Sequence, residues 1–233
     1  VVVIGGGSAG YAAARTARDA GADVAIVDQG PLGGLCILRG CMPTKTFLQS
    51  SEMMAMMKRA REFGLAPVNP RADLSAIVDR KNRLVQEFAD YRIAALRDPR
   101  FTLYESRAEF ISPHDIRAGD IRIRGQAFVI ATGSTAHEVS IPGLDDAGYQ
   151  TSDTILDLRR PPVSLLVLGG GPVAVELGQF FARIGSKVTI LQRSATLLSH
   201  MDADVGRALE ASFREEGIEV VTDVSLQRVT QTP

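Results

Sequence analysis

Val1-Val2-Val3-Ile4-Gly5-Gly6-Gly7-Ser8-Ala9-Gly10 decides the fold of this chain. The four apolar residues lack polar alternation, which predicts a strand buried on both faces, as in a parallel sheet. They enter a Gly5-x-Gly7-x-x-Gly10 turn, and an alanine-rich helix is predicted from about Ser8 to Ala20. A second buried strand, Val24 to Val27, ends at Asp28, 18 residues beyond Gly10. Strand, glycine turn, helix and acid at this spacing read as a dinucleotide-binding unit. The glycines permit a tight turn and let a pyrophosphate approach the helix N-terminus, where N–H groups and the dipole face an anion. Asp28 is placed to accept hydrogen bonds from ribose hydroxyls.

The unit occurs twice. A shift of 164 positions lays Gly5 on Gly169, Gly7 on Gly171, Gly10 on Ala174, Gly21 on Gly185 and Val24 on Val188, without a gap. Two dinucleotide sites follow. They differ at the acid, because Asp28 falls on Gln192 and Arg193 comes next. An acid favours a free 2′-hydroxyl, whereas arginine accommodates a 2′-phosphate. The second site therefore reads as preferring NADPH to NADH. An exposed charge at a strand end is the other reading of Arg193, and His200 nearby reads as a surface residue.

Gly33-Gly34-Leu35-Cys36-Ile37-Leu38-Arg39-Gly40-Cys41-Met42-Pro43-Thr44-Lys45 holds the only two cysteines of the 233 residues. Fully extended, it would separate their Cα atoms by roughly 17 Å, whereas a disulfide requires about 4.4–6.8 Å. A paired reading needs a turn, for which Gly40 offers backbone freedom. Pro43 suits the first turn of a helix running through Thr44-Lys45-Thr46-Phe47-Leu48. A thiol at a helix N-terminus beside a lysine has its thiolate favoured. Two unrelated buried thiols are the alternative. The flanking residues and the two nucleotide units favour a redox pair.

Composition narrows the class. Hydrophobic residues at 45%, charged residues at 23% and a net charge of −1 describe an ordinary globular protein of one large or two ordinary domains. They give no electrostatic case for nucleic acid or an anionic membrane. Two cysteines are too few for a secreted scaffold, so a reducing cytoplasm is expected. Val1 to Ile4 is too short for a signal or membrane segment. With no initiator Met, and an end at Gln231-Thr232-Pro233, both ends read as cut.

Between the motifs, a helix is predicted to continue from Glu52 to Arg61, with Met53, Met54, Met56 and Met57 filling core space rather than binding metal. Asp73 is expected to cap an amphipathic helix with Leu74, Ile77, Val78, Leu84, Val85 and Phe88 on its apolar face, ending before Pro99. Short strands are predicted at Phe101 to Tyr104, Ala108 to Ile111, Ile121 to Ile123 and Phe128 to Ile130, with Asp115 and Asp120 around Gly119 marking turns. The last strand opens onto Ala131-Thr132-Gly133-Ser134, small residues that let a backbone approach a ligand. Pro142-Gly143 and Pro161-Pro162 bracket a domain crossover.

Together these motifs resemble the FAD-dependent pyridine nucleotide–disulfide oxidoreductases, the family of dihydrolipoamide dehydrogenase, glutathione reductase and mercuric reductase. The resemblance runs from the first glycine turn through the cysteine motif, Ala131-Thr132-Gly133 and Thr151-Ser152-Asp153 to the second glycine turn. It implies an α/β fold of two Rossmann-like, three-layer dinucleotide-binding domains, the second truncated. Residues 1–146 would bind FAD and carry the cysteines, and residues 147–233 would bind NAD(P)H. FAD would be held by Gly5, Gly7, Ser8, Gly10, Asp28, Gly34, Ala108, Ala131, Thr132 and Gly133. NADP, with NAD as the alternative, would be held by Gly169, Gly171, Pro172, Ala174 and Arg193.

The same resemblance implies that hydride passes from nicotinamide to flavin and electrons pass on to a Cys36–Cys41 disulfide. Cys41 matches the thiol against the flavin, and Cys36 the interchange thiol that attacks substrate. Lys45 matches the lysine near the flavin's hydride-accepting nitrogen, and Glu176 its ion-pair partner. Partly desolvated and unpaired, that lysine would tend to lose its proton.

Departures bear on the substrate. Leu35 removes a hydroxyl that relatives usually carry near FAD, and Arg39 puts a fixed charge inside the redox loop. Pro172 stands where glutathione reductase has a tyrosine over the nicotinamide pocket. Gly10-Tyr11 is similar to dihydrolipoamide dehydrogenase, and Ile190-Leu191-Gln192-Arg193-Ser194 to mercuric reductase. The implied substrate is a small-molecule disulfide, a dithiol or Hg(II), in a homodimeric cytoplasmic enzyme with no nucleic-acid or membrane partner. His114, His137 and His200 match no acid–base motif of the family, so the chain is expected to be incomplete for turnover. Two other functions stay open: an inert flavin- or nucleotide-binding fragment, and a flavin-only NAD(P)H oxidase or quinone reductase.

Overall fold

The valine-rich opening run forms β1 (Val2–Ile4), which pairs in parallel with β2 (Ala25–Val27), Val3 opposite Ile26. The computed structural model describes residues 1–137 and 139–230, so the chain end at Gln231-Thr232-Pro233 lies outside the described residues. Two further strands, β3 (Thr102–Tyr104) and β7 (Phe128–Ile130), complete a four-stranded parallel sheet of order β3-β2-β1-β7. Alternation along the strands sends side chains to opposite faces. Val3 and Ile26 pack with Ala14 of α1 (Ser8–Asp19) and Leu96 of α4 (Leu74–Leu96). Val2 and Val27 pack instead with Ile116, Ala118 and Ile123 of an antiparallel meander, β4 (Ala108–Ser112), β5 (Asp115–Ala118) and β6 (Ile121–Arg124). Helices, sheet and meander make three layers.

The second glycine turn follows β8 (Ser164–Leu168), which pairs in parallel with β9 (Lys187–Leu191), itself paired with β10 (Glu219–Val221). The repeat is structural as well as sequential. Val2 pairs with Ala25, and their images 164 residues on, Leu166 and Thr189, pair in the same register. One face of this sheet is covered by α5 (Pro172–Ile184) and α6 (Ala203–Glu215), with Phe180, Phe181, Val188, Ile190 and Phe213 buried. Phe47, from α3 (Cys41–Lys58), stacks on Phe180 with ring centroids 4.4 Å apart.

Packing divides the chain into two compact units, Val1–Pro43 with Asn82–Thr135, and Thr44–Lys81 with the residues from Ala136 onward. This grouping differs from a break at residues 146 and 147. Phe47, Leu74 and Val78 enter the core built by α5 and β9, which draws residues 44–81 into the second unit.

Pro43 lies in the first turn of α3, as expected, the helix beginning at Cys41. Several local expectations change. Asp73 caps α4 as expected, its Oδ1 accepting the Ala76 N–H at 3.1 Å, but Phe88 is exposed and Ala89 is buried in its place. Asp115 is in β5, not a turn. It is buried, and its carboxylate accepts from Arg122 (3.1 Å) and from the Ser112 hydroxyl (2.7 Å). The methionines do not fill the core. Met53, Met56 and Met57 are 56%, 48% and 42% exposed, because the buried positions of α3 (Pro43, Thr44, Thr46, Phe47 and Ser51) lie in its first eleven residues. Met53, Met54 and Met57 line a surface cavity of about 570 Å³ with Ile77 and Ile184.

Candidate functional site

In the first unit, backbone crowding explains the glycines. Gly5 has φ +102°, and a Cβ there would lie 2.2 Å from the Ala131 carbonyl oxygen. The Ala131 N–H in turn donates to Ile4 O at 2.8 Å, which seats the 131–133 segment against the turn. At Gly10 a Cβ would lie 1.7 Å from Gly5 O. Gly7 is the N-cap of α1, with no side-chain cap and no acid in the first turn, and Ser8 follows, exposed. The first-turn N–H groups are therefore left for an anion. Thr132 and Gly133 are exposed beside this turn, with open space at Gly133. These features fit a dinucleotide pyrophosphate.

Asp28 braces the turn from below. Its Oδ2 accepts the Gly6 N–H at 2.6 Å and its Oδ1 the Gly30 N–H at 2.7 Å. Each oxygen keeps a second lone pair for a ribose hydroxyl. Ala108 begins β4, half-buried in the apolar layer between meander and sheet.

The cysteine loop is fastened to this turn. Gly34, φ +75°, approaches so closely that a Cβ would sit 2.4 Å from Gly7 Cα. From it runs α2 (Gly34–Leu38), carrying half-buried Cys36. The Arg39 N–H donates to Leu35 O at 2.9 Å, and the chain reverses at Gly40. A Cβ on Gly40 would meet Leu35 O at 3.1 Å and Cys36 Cα at 3.3 Å, so glycine is needed there for space more than for freedom. Cys41 follows, exposed, at the N-terminus of α3, and both side chains are thiols in this structure.

In the second unit, Lys45 Nζ meets Glu176 Oε1 at 2.5 Å. The side chains are 57% and 31% exposed. What fixes the pair is the docking of α3 on α5. Phe47 stacks on Phe180, Lys58 Nζ donates to Arg183 O at 2.9 Å, and Arg183 pairs with Glu52 and, at 2.7 Å, with Glu216. Glu216 holds the Arg183 pKa above its ordinary value, and Arg183 holds that of Glu216 below its own.

The second glycine turn repeats the first. Gly169 has φ +103°, Gly171 is the N-cap of α5, Pro172 is its first residue, and neither a side-chain cap nor an acid stands in the first turn. A Cβ on Gly169 or Gly171 would meet nothing within 4 Å. Ala174, the image of Gly10, lies in the first turn of α5. Gln192 takes over the bracing role of Asp28. Its Oε1 accepts the Gly170 N–H at 3.1 Å, and its Nε2 donates to Thr196 O at 3.3 Å. Sequence reasoning saw in Gln192 only a missing acid, although the 164-residue shift could have revealed its structural role. Arg193 is exposed just beyond β9, and His114, His137 and His200 are exposed as well. Among the described residues no helix is long and apolar enough to cross a membrane.

Comparison with known proteins agrees with this arrangement. Residues 1–233 match the family model described as pyridine nucleotide-disulphide oxidoreductase. A mercuric reductase of Bacillus cereus is 35% identical over 231 residues, which cover 99% of this chain and 37% of the relative. A dihydrolipoyl dehydrogenase of Bacillus subtilis (strain 168) is 34% identical, covering 100% of this chain and 52% of the relative. The structure of the HOCl-induced flavoprotein disulfide reductase RclA from Escherichia coli aligns with a TM-score of 0.81 at 31% identity, covering 97% of this chain and 49% of that one. The chain spans about half the length, or less, of these relatives.

Proposed function

Because the chain belongs to the pyridine nucleotide-disulphide oxidoreductases, we propose that it is the FAD- and NADPH-binding portion of an enzyme that moves two electrons to a Cys36–Cys41 disulfide. The observation that carries this reading is the cysteine loop itself. Gly40 folds the chain back against Cys36, and Gly34 fastens the loop to the first glycine turn.

When bound, FAD supplies hydride acceptance and a two-electron relay. The chain's own residues do the rest. The N–H groups of α1 hold the pyrophosphate and Asp28 the ribose, with residues 1–146 as the FAD domain and residues 147–233 as the NADPH domain. Two electrons open the disulfide to two thiolates, and protons come from solvent. The N-terminus of α3 favours negative charge on Cys41. Cys36, as thiolate, attacks a disulfide substrate, forms a mixed disulfide and releases one thiolate. Cys41 then attacks the Cys36 sulfur, releases the second thiolate and restores the Cys36–Cys41 bond. Lys45, oriented by Glu176, supplies a positive charge one helical turn beyond Cys41. Gln192 removes a carboxylate that would repel a 2′-phosphate, and exposed Arg193 supplies a guanidinium for it. The substrate is a small disulfide, a dithiol or Hg(II), and the enzyme works as a cytoplasmic homodimer.

An anaerobic titration of the full-length protein with NADPH, and separately with NADH, tests the reading. A long-wavelength thiolate-to-flavin charge-transfer band at two-electron reduction is expected, at lower concentration with NADPH. Bleaching of the flavin without that band, or a Cys36→Ser variant with undiminished disulfide reduction, would overturn it.

A further inference from the structure

Arg193 is exposed, yet the segment that carries it is held from several sides. The Gln192 N–H donates to Val221 O at 2.8 Å, and the Gln192 side chain donates to Thr196 O. Leu197 is fully buried, and the Leu198 N–H closes the segment by donating to Gly170 O at 2.9 Å. A Cβ on Gly170 would lie 2.6 Å from Leu197 Cδ2, so Leu197 packs directly on the glycine turn.

The anchor of this segment is α6. Glu210, 7% exposed, accepts the Leu197 N–H on Oε1 at 3.0 Å. One helical turn earlier, Gly206 lies where a Cβ would come within 2.4 Å of Leu197 O. The Leu197 peptide is thus gripped at both ends by one face of α6. Burying a carboxylate is costly unless it is hydrogen-bonded and its charge is offset. Here one oxygen serves Leu197, and Arg214 lies 3.6 Å from the other.

We infer that Glu210 is a positioning residue for nucleotide selection: through Leu197 it holds the 193–197 segment so that Arg193 stays fixed beside Gln192. This rests on the reading of Arg193 as the 2′-phosphate group's partner. The glycine turn keeps its own brace, the Gly170–Gln192 bond, so loosening Leu197 acts on the 2′-phosphate contact more than on the shared pyrophosphate contact.

The test uses the full-length protein and compares Kd values for NADPH and NADH by fluorescence quenching. Wild type binds NADPH more tightly. Glu210→Leu leaves the Leu197 N–H without its charge-assisted partner and weakens NADPH about tenfold, with NADH changed by less than about twofold. Glu210→Gln keeps an acceptor at Oε1 and restores the preference. Should Glu210→Leu fail to fold, Glu210→Asp, which draws the acceptor back by one methylene, carries the same selective loss. Equal weakening of both nucleotides would overturn the proposal and reduce Glu210 to a fold brace. A wild type without NADPH preference would sink the Arg193 reading itself, before any variant is compared.

Discussion

Gly34 lies so close to Gly7 that a Cβ on it would sit 2.4 Å from the Gly7 Cα. The cysteine loop and the pyrophosphate turn therefore meet backbone to backbone, with no side chain between them. Gly34 also has φ +75°, which an L side chain adopts only with strain. Gly34→Ala is expected to displace α2 from the turn and to cost at least about 2 kcal/mol of stability. Flavin content should fall with it. The checks are the ratio of flavin to protein absorbance in the purified variant and a urea unfolding curve. Full flavin content at unchanged stability would show that the contact is dispensable.

The Lys45–Glu176 pair calls for the opposite pattern. Both side chains are partly exposed, and such ion pairs contribute about 1 kcal/mol or less. Glu176→Gln should therefore leave the melting temperature nearly unchanged. If Lys45 stabilises charge on the reduced flavin, the same substitution should slow flavin reduction by NADPH about tenfold. Stopped-flow absorbance at the flavin band separates the two effects. An unchanged rate would leave the pair a surface contact only.

What the sequence made legible was whatever the backbone imposes. Gly5 and Gly169 share nearly the same left-handed φ, +102° and +103°, because each must leave a strand and enter a helix within one tight turn. Such a demand leaves glycine in place and shows through a shift of 164 residues. Features set by long-range packing were hidden. The five residues of α2 are too few for a helical period, and the acid Asp115 that opens the four-residue β5 masks Ile116 and Ala118 as strand residues. Methionine spacing signals a core only where a core lies opposite, and the buried part of α3 ends near Ser51. The grouping of residues 44–81 with the second unit depends on Phe47 finding Phe180, which no local pattern announces.

Asp115 gives the meander a pH dependence. Arg122, and then the Ser112 hydroxyl, hold its carboxyl below the usual 3.8, at about 2. The folded state thus binds this proton at lower pH than the unfolded chain does. The ion pair therefore stabilises fully above about pH 4 and is lost as pH falls toward 2. Asp115→Asn should be less stable than wild type at pH 7, and the gap should close between pH 4 and pH 2. Urea midpoints measured across that range test this, and a gap independent of pH would refute the assignment.

Gln192 is where the two copies part. Asp28 spends both carboxylate oxygens on backbone N–H groups, whereas Gln192 accepts from Gly170 with one end and donates to Thr196 O with the other. Gln192→Glu would keep the acceptor for Gly170, abolish the donor to Thr196 and place a negative charge beside Arg193. That charge repels a 2′-phosphate and offers an acceptor to a free 2′-hydroxyl. NADPH affinity should fall by at least about tenfold while NADH affinity rises, since a buried or semi-buried charge contact is worth on that order. Fluorescence quenching with each nucleotide reads both changes. A variant that loses both affinities together would instead point to collapse of the glycine turn, which the Gly170–Gln192 bond holds in shape.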